Sequence, residues 1–251
     1  MAGLARRLLA EFTGTGLLVA VVVGSGIMAA RLSPGQPGLE LLENTLPTAA
    51  GLAVIIAVLA PVSGAHLNPV VSAADWALGR RSGTGLPGRA AAAYMVAQTG
   101  GAVGGAVLAN LMFALPAVSA SRTARSAPHL WLGETVATAG LVLVVFALAR
   151  SGRGALAPIA VAGWIGAAYW ATSSTSFANP AVTIGRTFSD TFAGIAPGSI
   201  AGFIAAQAVG GALGLVLVLA FYPAVRPAAR TGPAAEVRET AAAGAVPPAG
   251  S

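Results

Sequence analysis

Two asparagines are each followed at once by proline: Asn68-Pro69-Val70 within SGAHLNPVVS and Asn179-Pro180-Ala181 within SFANPAVTIGR. Asn is a strong helix N-cap, because its side-chain oxygen accepts from the first-turn amides. Pro suits the first helical position, where no N–H is needed and φ is preset. Each carboxamide then keeps N–H donors to offer elsewhere, which is chemistry suited to a neutral ligand with lone pairs. One Asn-Pro pair is an ordinary turn signal. Two of them, 111 residues apart and each at the edge of a hydrophobic run, predict two short helices starting at matched points.

Other reactive groups are few. Glu11 and Glu134 lie inside apolar runs at corresponding positions, and ionisable residues within such runs are functional or structural by selection. His66 stands two residues before Asn68; it either lines an aqueous vestibule or pairs with backbone carbonyls. His129 belongs to a loop, and two histidines so far apart make no zinc site. The hydroxyls from Thr172 to Ser176 have no general base near them in sequence, so no nucleophilic catalyst is expected. Cysteine is absent, which excludes disulfides, thiolate metal sites and any thiol that a trivalent arsenical would attack. No enzyme, metal or cofactor is expected.

These residues must be held by membrane-spanning elements. Hydrophobic residues make up 56% of the chain and charged residues 9%, with mean hydropathy +0.78, against roughly 25% charged in a soluble domain. The net charge is +6, and every basic residue is Arg. The arginines fall singly or in pairs between apolar runs, a pattern of membrane topology rather than of nucleic-acid binding. Runs near 8–30, 46–62, 90–112, 131–149, 155–173 and 199–221 are long enough to cross a bilayer core of about 30 Å. The first is too long for a cleavable signal. Arginine counts across the connections place both termini in the cytoplasm of a bacterial-type inner membrane, with Arg31, Arg122, Arg125 and Arg186 external.

The segments 61–78 and 173–195 are too apolar for solvated loops, and each has room after its Asn-Pro for about ten helical residues, or about 15 Å. Helices that enter and leave on one side are tolerated where they are buried or line a wet cavity. EFTGTGLLVAVVV at Glu11 aligns with ETVATAGLVLVVF at Glu134, and AQTGGAVGG at Ala97 with AQAVGGALG at Ala206. Three spans per half invert the second copy, so the expected architecture is an inverted 3+3 repeat with its site near the midplane. The expected halves are 1–112 and 129–225, joined by a polar linker at 113–128, with a disordered tail at 226–251. The two half-helices then point their positive ends at one place, repelling cations while two amides receive a lone pair. A proton-coupled secondary transporter, with Glu11 and Glu134 as its carboxylates, shares the repeat pattern.

With SGAHLNPV, SFANPAVT, the Glu11-Phe12-Thr13-Gly14-Thr15 start and the two Ala-Gln-x-x-Gly stretches, the chain resembles the aquaporin, or major intrinsic protein, family from Leu4 to about Tyr222. The resemblance implies six transmembrane helices plus two re-entrant half-helices, one pore per subunit, a homotetramer, and Glu11 and Glu134 bracing the re-entrant loops. It departs from the family at Val70, which replaces Ala, and at Val182. Water-selective members carry Arg at the position of Val182, in an outer constriction. Counting from the two Asn-Pro pairs gives Thr48, Ala167, Ser176 and Val182 for that constriction here. Such a filter has no cation, aromatic or imidazole. It implies a channel wider than a water pore, for glycerol, urea or arsenous acid, and SFANPAVT is similar to bacterial members associated with arsenic resistance. Arg186, one turn past Val182, reads as a cation near a helix C-terminus at a pore mouth or subunit surface.

Overall fold

The computed structural model describes residues 2–223, so the tail expected at 226–251 lies outside it. Among the described residues the structure is all α, with no strand. Six elements are long and apolar enough to cross a membrane: α1 (Leu4–Leu32), α2 (Pro37–Ser63), α4 (Gly88–Met112), α5 (Pro128–Arg150), α6 (Ala157–Ala171, preceded by the 3-10 turn Gly154–Leu156) and α8 (Ile200–Phe221). Two shorter helices, α3 (Pro69–Ser82) and α7 (Pro180–Gly185), start at the two Asn-Pro pairs. The order long, long, short, long thus occurs twice, in a multi-pass membrane protein.

Two features differ from the sequence-based expectation. α2 starts at Pro37 rather than near 46 and runs through Pro47. Its polar first turns are anchored: Ser33 Oγ donates to Glu43 (2.8 Å), and Asn44 Nδ2 donates to Val22 O (2.8 Å) and Ser25 Oγ (2.9 Å) on α1. The two half-helices are also unequal, since α3 has 14 residues and α7 only 6 before a 3-10 turn at Arg186–Phe188. α7 is cut short where Gly185 presses on α4: a Cβ there would lie 2.7 Å from Ala102 O. Trp164 donates its indole N–H to Ala137 O (2.9 Å) and covers Gly140, packing α6 on α5.

Within each half the first and last helices pack most closely, α1 on α4 and α5 on α8, while α2 meets α6 across the halves. Lipid tails are as apolar as leucine, so such contacts depend on small residues that let backbones approach. A Cβ on Gly101 or Gly105 would overlap the carbonyl oxygens of Phe12 and Gly16, and their repeat mates Gly210 and Gly214 face Thr135 O and Ala139 O. Gly105→Val is therefore expected to force α1 off α4 and lower the thermal midpoint in detergent by about 10 °C or more. The exposed Gly163, with nothing within 4 Å of a Cβ, tolerates the same change with a shift of a few degrees, as propensity alone predicts. Equal shifts at the two positions would show that close approach does not hold the pair.

Candidate functional site

Both re-entrant loops carry the same backbone signature. Ala65 and Leu67 have φ of 46° and 51°, and Ser176 and Ala178, at the same offsets from their Asn, have 50° and 48°. Each such non-glycine residue in the left-handed region costs about 1–2 kcal/mol, and strained backbone of this kind persists only where its surroundings over-determine it. Here a buried carboxylate does so. Glu11 Oε1 accepts from His66 N (3.0 Å) and Ser63 Oγ (2.6 Å), and its Oε2 from Leu67 N (2.7 Å) and Gln98 Nε2 (2.8 Å). Glu134 accepts from Phe177 N (2.8 Å), Ala178 N (2.8 Å) and Gln207 Nε2 (2.6 Å).

The loops deliver the asparagines head to head. Asn68 Oδ1 caps α3 by accepting from Val70 N (2.9 Å), and Asn179 Oδ1 caps α7 by accepting from Ala181 N (3.0 Å) and Val182 N (3.3 Å). Their amides are exchanged: Asn68 Nδ2 donates to Ala178 O and Asn179 Nδ2 to Leu67 O, both at 2.7 Å. One N–H of each carboxamide thus ties the two halves together, and the other remains. Both asparagines line a cavity of about 560 Å³. Pro69, Val70, Pro180 and Ala181, which follow them, are not among the residues that line it. The extra bulk of Val70 goes into α8, where its Cγ1 lies 2.5 Å from the position a Cβ would take on Gly211.

The cavity runs from Pro158 and Asp75, past His66 and the asparagines, to Ser176, Val182 and Arg186. His66 lines it, with Nδ1 3.2 Å from Ser72 Oγ and the ring edge-on to Tyr94 at 5.5 Å. Its repeat mate Phe177 stands edge-on to Phe203 at 5.1 Å. Of the four counted constriction residues, Thr48, Ser176 and Val182 line the cavity, and Ala167 does not. Ala167 is exposed on the outward face of α6. The face presented to the cavity is Pro158, Val161, Ile165 and Tyr169, the i, i+3/i+4 stripe of a helix. The fixed count back from Asn179 lands two residues from both Ile165 and Tyr169 on that stripe.

Of the two places expected for Arg186, pore mouth or subunit surface, the structure excludes the surface. Arg186 is 2% exposed, lines the cavity, donates from Nε to Ala193 O, and stacks with its guanidinium carbon 3.5 Å from the Phe177 ring centroid. A cation at a subunit surface would be solvated; this one lies in the wall. The signal that would have found it is SFANPAVTIGR itself, since positions 182 and 186 share one helical face. Arg125 approaches the same ring at 5.1 Å and donates from Nε to Gly194 O (3.0 Å). Outside these spans, the backbone N–H and guanidinium of Arg122 hold the Asp190 carboxyl below the usual carboxylate range. That contact (2.7 Å) pins the 113–128 connection over the second re-entrant segment.

Comparison with known proteins agrees with this geometry. The family model "Major intrinsic protein" matches residues 2–176. The chain is 50% identical over 192 residues to the aquaglyceroporin AqpS of Rhizobium meliloti (strain 1021), covering 76% of this chain and 79% of that one. It is 33% identical over 180 residues to a glycerol uptake facilitator protein of Pseudomonas aeruginosa, covering 61% and 62%. The solved aquaglyceroporin of Plasmodium falciparum shares the fold, with a TM-score of 0.60 at 21% identity over 86% of this chain and 96% of that one. With its six spans, paired half-helices and matched carboxylate braces, the chain belongs to the major intrinsic protein family, the aquaporins, whose members are membrane channels rather than enzymes.

Proposed function

We propose that the protein is a passive channel for small neutral solutes of glycerol size, arsenous acid and related arsenicals among them as well as water. The observation that carries this is the cavity beside the two asparagine amides, whose outer stretch has Thr48, Ser176 and Val182. None of these three is aromatic; Tyr169 and Phe177 also line the cavity, so the space left beside their rings sets the largest solute. The absence of cysteine leaves no thiol on the path to trap a trivalent arsenical. The relatives named as aquaglyceroporin and glycerol facilitator support a polyol-sized permeant. A glycerol or urea facilitator and a plain water channel are narrower versions of the same reading. Proton-coupled transport is disfavoured because both oxygens of Glu11 and of Glu134 are already occupied by donors. In the membrane we place both termini in the cytoplasm, the Arg186 end of the cavity outside, the 1–112 and 129–225 halves as the two repeats, and four subunits each with its own pore.

Stopped-flow light scattering on proteoliposomes tests this with water, glycerol, urea and arsenous acid. Glycerol and arsenous acid are expected to enter at least about tenfold faster than into empty liposomes, without saturating and without a proton gradient. Wild-type vesicles that pass water alone would sink the wide-channel reading.

A further inference from the structure

Around His66 the two halves of the chain differ. Gln98 and Gln207 are repeat mates, and each donates from Nε2 to its buried glutamate, Gln98 to Glu11 Oε2 (2.8 Å) and Gln207 to Glu134 Oε2 (2.6 Å). Each gives its second amide hydrogen to the hydroxyl four residues past the asparagine: Gln98 to Ser72 Oγ (3.0 Å) and Gln207 to Thr183 Oγ1 (2.9 Å). Thr183 then donates its own proton to Asn179 O (2.9 Å). Ser72 does not follow it. Its Oγ lies 3.2 Å from His66 Nδ1, and the residue at the place of His66 in the second half is Phe177.

The directions of these bonds follow one from another. A carboxylate only accepts, so the part of Gln98 that faces Glu11 is its NH₂. The same NH₂ faces Ser72, whose oxygen accepts there and whose O–H is left to donate. Among the described residues its other partner is His66 Nδ1, which therefore accepts and carries no hydrogen. The hydrogen of the neutral ring is then on Nε2. Nε2 has no protein partner among the described residues and is not one of the buried polar atoms that lack one, so it opens on the cavity that His66 lines beside Asn68. Adding a proton to Nδ1 would turn two hydrogens on each other at Ser72, which is 0% exposed, and a buried donor left unpaired is costly. Tyr94, edge-on at 5.5 Å, and Gly64, where a Cβ would lie 3.3 Å from Nε2, hold the ring in place. The charged groups around it are engaged as well: Glu11 on α1 by four donors, Asp75 on α3 by Leu86 N (2.8 Å), and Arg7 on α1 by Tyr94 OH (2.6 Å).

We propose that Ser72 is a positioning residue that fixes His66 in its neutral Nε2–H form, making the ring a constant hydrogen-bond donor to solute oxygens on the Asp75 side of the asparagines. The use of that donor by a solute rests on the channel reading; the bond directions do not. With Nδ1 occupied and Nε2 already protonated, the ring offers no free base to the cavity, and conduction is independent of pH where an ordinary histidine titrates.

The test reads the ring itself. The chain has two histidines, so His129→Gln leaves His66 as the single imidazole, and nitrogen NMR of the isotope-labelled full chain in proteoliposomes tells a protonated ring nitrogen from a bare one. The expected spectrum is one neutral form with its hydrogen on Nε2, kept from about pH 7.5 to about pH 5.5, on both sides of the usual histidine value of about 6.5. Adding Ser72→Ala is expected to bring in the Nδ1–H form and a charged ring as the pH falls. Glycerol entry follows the ring. It is flat over that range in His129→Gln and at least about twofold slower at the acid end with Ser72→Ala, because a charged donor holds an oxygen about twice as strongly as a neutral one. A purely structural role for Ser72 would scale entry equally at every pH. Hydrogen on Nδ1 in the His129→Gln chain overturns the assignment, as does Ser72→Ala with an unchanged ring form and a flat profile. If Ser72→Ala does not fold, the His129→Gln spectrum decides alone. Glycerol that fails to enter at any pH sinks the channel reading and with it the use of the donor, a failure the spectrum separates from a wrong ring form.

Discussion

Val182→Arg is expected to cut glycerol and arsenous acid flux through the channel by at least about tenfold while water is reduced less. A tenfold drop needs only about 1.4 kcal/mol of added barrier, and the substitution supplies more than one source of it. Val182 is 5% exposed and lines the cavity, so a longer side chain there takes space from the permeant. Arg186 follows on the same helical face, at the i+4 position, so the variant sets two guanidiniums side by side in a wall with little water to screen them. The companion change separates the causes. Val182→Arg with Arg186→Val returns the cation count to one and is expected to recover stability while keeping glycerol excluded. Flux of glycerol in Val182→Arg at the wild-type level would place the narrow part of the channel away from α7.

The fold was legible in the sequence because its determinants are local and occur twice. Asn-Pro is a cap and a first-turn residue wherever it stands, and two copies in matched surroundings imply inversion once three spans separate them. Glu11 and Glu134 were visible for the same reason, as charges where the apolar pattern forbids them unless they are paired. What was not legible depended on where side chains of distant elements meet. α2 begins early because Asn44 and Ser33 find partners on and beside α1, which no local propensity encodes. Ala167 follows from counting alone, and a helix turns about 100° per residue, so a small error in the count moves a residue from the lumen to the lipid. Arg186 is not legible as a wall residue because its position along the helix axis does not fix the position of its charge. A guanidinium reaches about 6–7 Å from its Cα, roughly the rise of the intervening helical turn, and Phe177 and Ala193 O set the direction of that reach.

The largest loss of stability is expected from Glu134→Gln. The change is nearly isosteric, so no cavity opens and the packing of α5 against α8 is kept. What changes is the donor and acceptor count. Three donors converge on the carboxylate: Phe177 N–H, Ala178 N–H and Gln207 Nε2. Glutamine offers one oxygen, and its NH₂ must face at least one of those donors. At 0% exposure no bulk water can take the unpaired group. Losing hydrogen bonds to a charge, at about 1.5–3 kcal/mol each, together with one stranded donor gives about 3–5 kcal/mol, a large part of a typical total stability of about 5–15 kcal/mol. The left-handed backbone at Ser176 and Ala178 then loses what holds it, and Asn179 with it. Gln207→Leu removes one of the three donors and leaves both backbone amides paired, so it should cost less. The expected result is a fall in thermal midpoint in detergent for Glu134→Gln clearly exceeding that for Gln207→Leu, with solute flux lost in proportion to folded protein. A Glu134→Gln channel that is as stable as wild type but has lost a proton-gradient dependence of flux would reverse the assignment, making the carboxylate a proton carrier instead of a brace.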